Sequence, residues 1–251
     1  MPSHGNALQK GNRASRVRCV QPLSYQPFER LHMRKPVNRS AFIVEHCRGR
    51  DVLDLGCYDE TALVKRDAGE WLHAKVATSV LGVDNSSELP LDGIGTGPTS
   101  RIIRGDVTAL EAVLPPEARP DVIVAGELLE HLPDPTAFFR QIKMLFEGRQ
   151  LIASTPNATQ LSNVLLALGY RESNHQDHLH VFSFKTLTTL CSRAAFAEWS
   201  LIPYHVRYTE MALRTAGVRR ELVRMAESLL AGVEVVFPLL SSGYIINVSR
   251  I

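Results

Sequence analysis

Four acidic residues stand at regular intervals in the chain, each at the end of a short apolar run. They are Asp54, Asp84, Asp106 and Glu127, separated by 30, 22 and 21 residues. Each interval suits one strand–helix module, so the four carboxylates are expected at the ends of neighbouring parallel strands. Ligands of open parallel sheets bind beyond these strand ends, where the strand order reverses. The spacing therefore predicts a ligand that gains from several acidic neighbours.

S-Adenosylmethionine has the matching chemistry. Its ribose hydroxyls can donate to one carboxylate, which we expect to be Asp84, and its adenine amine can donate to another, Asp106. Its sulfonium and ammonium are cations, and acids and carbonyls near Asp54 and Gly56 suit the ammonium. The residue types thus predict a cationic sulfur nucleotide as the ligand.

A nicotinamide dinucleotide is the alternative ligand, because it also needs an acid after the second strand. Its pyrophosphate requires a G-x-G-x-x-G loop at a helix N-terminus. The loop here reads GCYDET over 56–61, with a tyrosine in place of the second glycine and two acids that would repel a pyrophosphate. This loop therefore argues against a dinucleotide.

The elements that must position these acids follow from the apolar pattern. Continuous Val/Ile/Leu runs are typical of strands buried on both faces, and apolar residues at helical spacing indicate the helices between them. Strands are predicted over 51–56, 79–84, 100–106, 121–127, 150–155 and 198–206, with a final edge strand over 243–250. Helices are predicted within 29–48, over 69–78, after the capping residue Asp134, over 184–196 and over 209–231, with a flexible loop over 93–100.

This alternation predicts one α/β domain rather than several. Residues 1–48 are expected to form a flexible N-terminal arm and a helical cap, and 49–251 the main domain, with a helical insertion near 207–235. The net charge of +2 indicates neither a nucleic-acid nor a membrane partner. We find no signal-peptide pattern and no apolar run near the roughly 20 residues that cross a bilayer, so we expect a cytoplasmic protein.

The ordered motifs resemble those of class I S-adenosylmethionine-dependent methyltransferases. They are VLDLGC (52–57), VLGVD (80–84), RGDV (104–107), DVIVAGELLEHLPDP (121–135) and STPN (154–157). The resemblance implies a Rossmann-like, seven-stranded, mostly parallel sheet with helices on both faces and a last antiparallel strand. GEWLHAKVA (69–77) and HLHVFSFKTL (178–187) are further similar to bacterial methyltransferases of glycan and secondary-metabolite pathways.

The resemblance also assigns site residues by position. It implies contacts with the methyl donor, S-adenosylmethionine, from Asp54, Gly56, Cys57, Asp84, Asn85, Asp106 and Val107. Glu127 would border both donor and acceptor, and the acceptor would lie over the fourth and fifth strands under the cap. The usual glycine-rich turn after the first strand is missing, so we expect Trp71 or His73 to help hold the methionine end.

The predicted activity is O-methylation of a small molecule or glycan, with N-methylation as an open alternative. Methyl transfer mainly requires positioning of the reactants, because the sulfonium is already a good leaving group. A hydroxyl acceptor also needs a base with a pKa near the working pH. The candidates for that base are His180, His178 and His131.

Two other functions stay open. Glu127, Glu130 and His131, with His180 downstream, resemble the acid–acid–His plus His set of metal-dependent small-RNA 2′-O-methyltransferases. Mixed Glu/His ligation suits Mg²⁺ or Mn²⁺ only loosely, and we predict no metal site and no nucleic-acid partner. The missing glycine turn is also compatible with a scaffold that binds S-adenosylmethionine without catalysis. The oligomeric state is left open.

Overall fold

The computed structural model describes residues 29–58, 71–75, 79–172, 174–205 and 207–251, together with the backbone of 17–18. The strands are β1 Val17–Arg18, β2 Val52–Leu55, β3 Val80–Asp84, β4 Ile94–Gly95, β5 Ser100–Arg104, β6 Val122–Gly126, β7 Gln150–Pro156, β8 Glu198–Tyr204 and β9 Gly243–Arg250. The helices are α1 Arg39–Cys47, α2 Leu72–Lys75, α3 Leu110–Val113, α4 Pro135–Leu145, α5 Leu161–Leu168, α6 Phe184–Arg193, α7 Thr209–Arg214 and α8 Gly217–Val236. Short 3₁₀ turns occupy Val107–Ala109, Leu129–His131 and Pro238–Leu240.

One mixed sheet holds all these strands, in the order β1-β8-β9-β7-β6-β2-β3-β5-β4. The central strands β5, β3, β2, β6 and β7 pair in parallel, whereas β9 is antiparallel to both β7 and β8. The chain adds β3 and β5 on one side of β2 and then returns to add β6 and β7 on the other. The strand order therefore reverses between β2 and β6, where a ligand is expected.

Helices cover both faces of the sheet, as predicted. Helices α4 and α6 bury their apolar stripes in the larger core, which continues across the inner residues of β2, β6, β7 and β9. Helix α1 packs on the opposite face through Ile43 and Cys47. The Asp134 side chain accepts hydrogen bonds from the N–H groups of Thr136 and Ala137 at 2.9 Å each, so α4 begins at the predicted cap. The Rossmann-like α/β fold with an antiparallel last strand is confirmed.

Three predictions about the sheet are wrong. The described part of the chain contributes nine strands rather than seven, because β1 and β4 are two-residue edge pairings too short to leave a periodic pattern. Strand β4 lies inside the stretch 93–100 that was expected to be a flexible loop. Strand β9 is not an edge strand, since β7 and β8 flank it, and Tyr244, Ile245 and Ile246 are completely buried.

The predicted helices differ from the structure mainly near the N-terminus and in the insertion. Only α1 forms within 29–48, and Val37 before it bridges to Tyr204 in extended conformation. The expected helix over 209–231 is two helices, α7 and α8, separated by 215–216. The expected helix over 69–78 is described only for 71–75, and the flexible arm lies outside the described residues apart from β1. None of the helices in the described part of the chain has the length and apolar content that a bilayer crossing needs.

Candidate functional site

A cavity of about 760 Å³ opens at the carboxyl ends of β2 and β6, where the strand order reverses. Its volume is within the range that binds small molecules and cofactors. One group of lining residues, the β2 wall, comes from β2, the loop after it and the start of α2: Asp54, Gly56, Cys57 and Trp71. A second group, the cap wall, comes from α1, the residue after β6, the end of β8, two later loops and α7: Arg39, Glu127, His178, Tyr204, Arg207 and Arg214.

On the β2 wall, a buried carboxylate faces a buried histidine. Asp54 is 6% exposed, and its Oδ2 lies 3.4 Å from Nε2 of His73, too poorly aligned for a hydrogen bond. The other ring nitrogen of His73 lies 2.8 Å from the hydroxyl of Thr96. Trp71 stacks on His73 at a centroid distance of 4.7 Å and donates its indole N–H to the carbonyl of Cys57. The predicted pair Trp71 and His73 therefore lies beside Asp54.

The backbone of the β2 wall depends on glycines. Gly56 has φ +66°, a left-handed conformation, and a Cβ there would lie 2.8 Å from Cδ1 of Leu128. Its N–H donates to the carbonyl of Val83 at 2.9 Å, which fixes the turn after β2. A Cβ on Gly82 would lie 2.6 Å from Sγ of Cys57. The first loop can approach the sheet closely because these side chains are missing.

Burial raises the pKa of the Cys57 thiol well above its ordinary value, and the charges of Asp54 and Asp84 raise it further. The thiol therefore stays protonated at neutral pH. A protonated thiol is a weak nucleophile, so Cys57 contributes shape and packing to this wall rather than covalent chemistry.

The remaining predicted donor residues do not line this cavity. Asp84 is buried, and its two carboxylate oxygens accept hydrogen bonds from the N–H groups of Tyr58 and Ser86 at 2.9 and 2.8 Å. Asp106 caps the turn at Val107–Ala109, and Val107 is buried. Asn85 is exposed. These four stand at the ends of β3 and β5, the strands that follow β2 in the sheet, and their contacts with S-adenosylmethionine stay a prediction.

The cap wall centres on Glu127. Its Oε1 accepts a hydrogen bond from the Tyr204 hydroxyl at 2.7 Å and lies 3.0 Å from Nη1 of Arg39. The same Nη1 lies 3.2 Å from the hydroxyl of Ser154. Burial and the charge of Glu127 raise the pKa of Tyr204 well above its ordinary value, so the hydroxyl stays a donor.

Three elements bring this group together. Asn38 caps α1 and so directs Arg39 from its first turn, because its side chain accepts from the N–H of Ala41. Strand β8 ends at Tyr204, opposite Gly243 of β9. Glu127 follows β6 with φ +54°, an uncommon value for a residue with a side chain and a frequent feature of functional sites. Glu127 was predicted from the sequence, whereas Arg39 and Tyr204 were not, because no local motif distinguishes them.

Of the three predicted bases, His178 lines the cavity, and His131 and His180 do not. The rings of His178 and His131 meet edge-on at a centroid distance of 4.7 Å, with His175 at 5.9 Å from His178. Burial lowers the pKa of His178, and the neighbouring His131 and His175 lower it further. His178 is therefore neutral at pH 7 and able to accept a proton.

Behind these histidines lies Glu130, which is 1% exposed. Neither of its carboxylate oxygens has a hydrogen-bond partner among the described residues. Burial raises the pKa of Glu130 to about 8, with a further rise from Glu127 and a partial opposing effect of the nearby Thr155 hydroxyl. Its backbone carbonyl accepts from the N–H groups of Leu179 and His180 at 2.7 and 3.1 Å, which ties the loop that holds His178 and His180 to the 3₁₀ turn after β6.

Only some of the residues that the metal-dependent alternative requires as ligands lie close together. Potential ligand atoms of Glu130, His131 and His178 lie within 4.8 Å of one another. Glu127, which that alternative requires, is instead bound to Arg39 and Tyr204, and His180 is not in the group. A second such group, Asp54, Cys57 and His73, belongs to the β2 wall. We therefore keep the prediction that the site acts without a metal.

Comparisons with known proteins identify the family of this chain. Residues 25–201 match the model of a family described as a methyltransferase domain. A probable S-adenosylmethionine-dependent methyltransferase of Mycolicibacterium smegmatis is 31% identical over 121 residues, 48% of this chain and 43% of that protein. A protein of Mycobacterium tuberculosis with the same description is 29% identical over 121 residues, 48% of this chain and 40% of that protein. The chain thus spans less than half the length of these relatives.

The solved structure of the small RNA methyltransferase HEN1 has the same fold. It superimposes with a TM-score of 0.53 at 16% identity, covering 90% of this chain and 27% of that one. At this identity the likeness concerns the fold alone. The family match covers more than half of the chain, and the sheet is Rossmann-like and mostly parallel with an antiparallel last strand, as the resemblance implied. The chain therefore belongs to the class I S-adenosylmethionine-dependent methyltransferases.

Proposed function

We propose that this chain transfers the methyl group of S-adenosylmethionine to a hydroxyl group of a small molecule or glycan. The observation that carries the proposal is that one cavity joins the β2 wall, with its buried Asp54, to the cap wall, with the neutral base His178. One end suits a cationic donor, and the other offers a proton acceptor to a hydroxyl.

The β2 wall suits the methionine end of the donor. Asp54 would hold the ammonium, the Gly56 turn leaves room for close approach, and Trp71 shields the contact from water. When bound, S-adenosylmethionine supplies an electrophilic methyl carbon on a good leaving group. The chain then has to position the acceptor and exclude water, which is the larger part of catalysis for such a displacement.

The cap wall suits the acceptor. His178 would take the proton of the acceptor hydroxyl at a ring nitrogen, and the negative charges of Glu127 and Asp177 would favour the protonated imidazole that results. Arg39 and Tyr204 fix the position of Glu127, so this carboxylate is pre-organised at the border of donor and acceptor.

The proposal is tested by methyl transfer from radiolabelled S-adenosylmethionine to a panel of hydroxylated acids, phenols, sugars and RNA. Replacing His178 by Ala should lower kcat by about 10²–10⁴-fold, the usual contribution of a general base, and leave donor affinity unchanged. His32→Ala is the control, because His32 is exposed and away from the cavity. Donor binding without turnover across the panel would favour the scaffold, and transfer to RNA alone would favour the RNA alternative.

A further inference from the structure

The cap wall carries more cationic side chains than its acids can pair with. Arg39, Arg207 and Arg214 all line the cavity, whereas Glu127 is the acid of this wall among the described lining residues. These arginines come from separate parts of the chain, α1 and the segment around α7, and the fold brings them to one opening.

Each guanidinium keeps hydrogen-bond donors available. Arg39 uses Nη1 for Glu127 and Ser154, and its Nε and Nη2 make no hydrogen bond with the described residues. Arg207 uses Nε for Glu227 at 3.1 Å, and its side chain is 50% exposed. Arg214 has neither an ion pair nor a hydrogen bond with any side chain that the structure describes. A planar fork of N–H groups is the geometry that binds carboxylates and phosphates in bidentate fashion.

Arg39 and Arg207 have acidic partners in Glu127 and Glu227, whereas no described acid pairs with Arg214. The donor of this family adds a positive charge of its own, which the charge of Arg214 repels. A neutral acceptor would leave this repulsion in place. An acceptor with an oxyanion would relieve it, would use the open edges of the guanidiniums and would be drawn toward the cavity by the positive potential.

We propose that the acceptor carries an oxyanion, a carboxylate or a phosphate or sulfate monoester, close to the hydroxyl that is methylated. Arg214 is its main contact, supported by the open edges of Arg39 and Arg207. This inference rests on the proposed function, because it names the class of acceptor for the same cavity.

The test measures binding of matched probes to the full chain saturated with S-adenosylhomocysteine. Calorimetry compares 4-hydroxybenzoate, the isosteric neutral 4-hydroxybenzamide and 4-hydroxyphenyl phosphate. At least one anionic probe should bind about tenfold more tightly than the amide, the scale of one charge-assisted hydrogen bond, and the preference should shrink as salt rises. The two anionic arms distinguish carboxylate from phosphate recognition.

A variant pair links the preference to Arg214. Arg214→Gln should abolish most of the anionic preference without a change in thermal stability, because this exposed side chain makes no hydrogen bond or ion pair with the described residues. Arg219→Gln is the matched control, since Arg219 is exposed on α8 and does not line the cavity. Equal affinity of the amide and both anions, or no binding of any anion at millimolar concentration, would overturn the inference. Failure to bind S-adenosylhomocysteine would instead overturn the proposed function.

Discussion

The acidic side chains at the strand ends of this protein form two groups, which differ in the partners that they contact. Asp54 and Glu127 face the cavity with a histidine or an arginine as partner. Asp84 and Asp106 accept hydrogen bonds from backbone N–H groups of the following turns. A carboxylate that organises a turn can still accept a ribose hydroxyl on a remaining lone pair. Only a measurement can therefore separate what such a carboxylate contributes to ligand binding from what it contributes to the turn.

Asp84→Ala is expected to weaken S-adenosylhomocysteine binding by roughly 1.5–3 kcal/mol, the scale of a charge-assisted hydrogen bond. Calorimetry measures the affinity, and thermal unfolding measures the loss of the turn. Asp134→Ala is the control, because it removes a helix cap of about 1 kcal/mol away from the cavity and should leave the affinity intact. Unchanged affinity in Asp84→Ala would reject the ribose contact.

Glu130 predicts a pH dependence of stability. Its pKa is about 8 in the folded chain against an ordinary value of 4.5, so the folded state binds one proton more than the unfolded state between these values. The free energy of unfolding should therefore fall as pH rises from about 4.5 to 8, by an amount on the order of 3–5 kcal/mol for this group.

Glu130→Gln has no such proton to lose, so its stability should change less over that range. Urea unfolding at several pH values measures both slopes. Parallel slopes for the two proteins would contradict a raised pKa at Glu130.

At the scale of elements, the cap wall is set by how β8, β9 and α1 meet. Tyr204 stands opposite Gly243 in the pairing of β8 with β9, and a Cβ on Gly243 would collide with the Tyr204 ring and hydroxyl. The missing side chain is what lets Tyr204 reach Glu127. Arg39 reaches the same carboxylate from the first turn of α1.

Gly243→Ala should displace Tyr204 and lower kcat by at least tenfold, and overpacking should destabilise the fold by about 1–3 kcal/mol. Donor affinity should change little, because the β2 wall is not involved. Thermal unfolding, calorimetry and turnover measure the three effects. Gly95→Ala is the matched strand control, since a Cβ there meets no atom within 4 Å. Equal kcat in the two variants would reject the positioning of Tyr204 by Gly243.

For the whole molecule, the cavity joins distant parts of the chain, from α1 to the loop before β9. A ligand that binds only the folded state stabilises all of it by mass action. S-Adenosylhomocysteine at 100 times its Kd should therefore add about 2.7 kcal/mol and raise Tm by several degrees. Differential scanning calorimetry measures the shift. A well-folded protein that shows neither a shift in Tm nor heat of binding would contradict S-adenosylmethionine as the methyl donor.

Chelation tests the metal alternative on the intact enzyme. Because Glu127 is bound to Arg39 and Tyr204 rather than grouped with Glu130, His131 and His178, EDTA should leave methyl transfer and Tm unchanged. Dialysis against buffer without EDTA is the control. Activity that is lost with EDTA and restored by Mn²⁺ or Mg²⁺ would revive the metal-dependent alternative.

The sequence by itself determined the sheet and the class of ligand. Buried parallel strands must be continuous apolar runs, and the turn after each must carry the residues that meet a ligand, so both signals are local in the chain. Seven strands, the cap of α4 and the cavity-lining residues Asp54, Gly56 and Glu127 were readable for that reason. The two-residue strands and the break between α7 and α8 were not, because such short features leave no periodic pattern.

Only the tertiary structure decided which side chains share the cavity. Arg39 lies far from Tyr204 and Arg214 in sequence, and no spacing rule relates residues that meet across α1, β8 and α7. His178 rather than His180 faces the cavity because the backbone carbonyl of Glu130 fixes the loop between them. Charge, pKa and exposure depend on neighbours in space, so the chemistry of the cap wall follows from packing and not from local sequence.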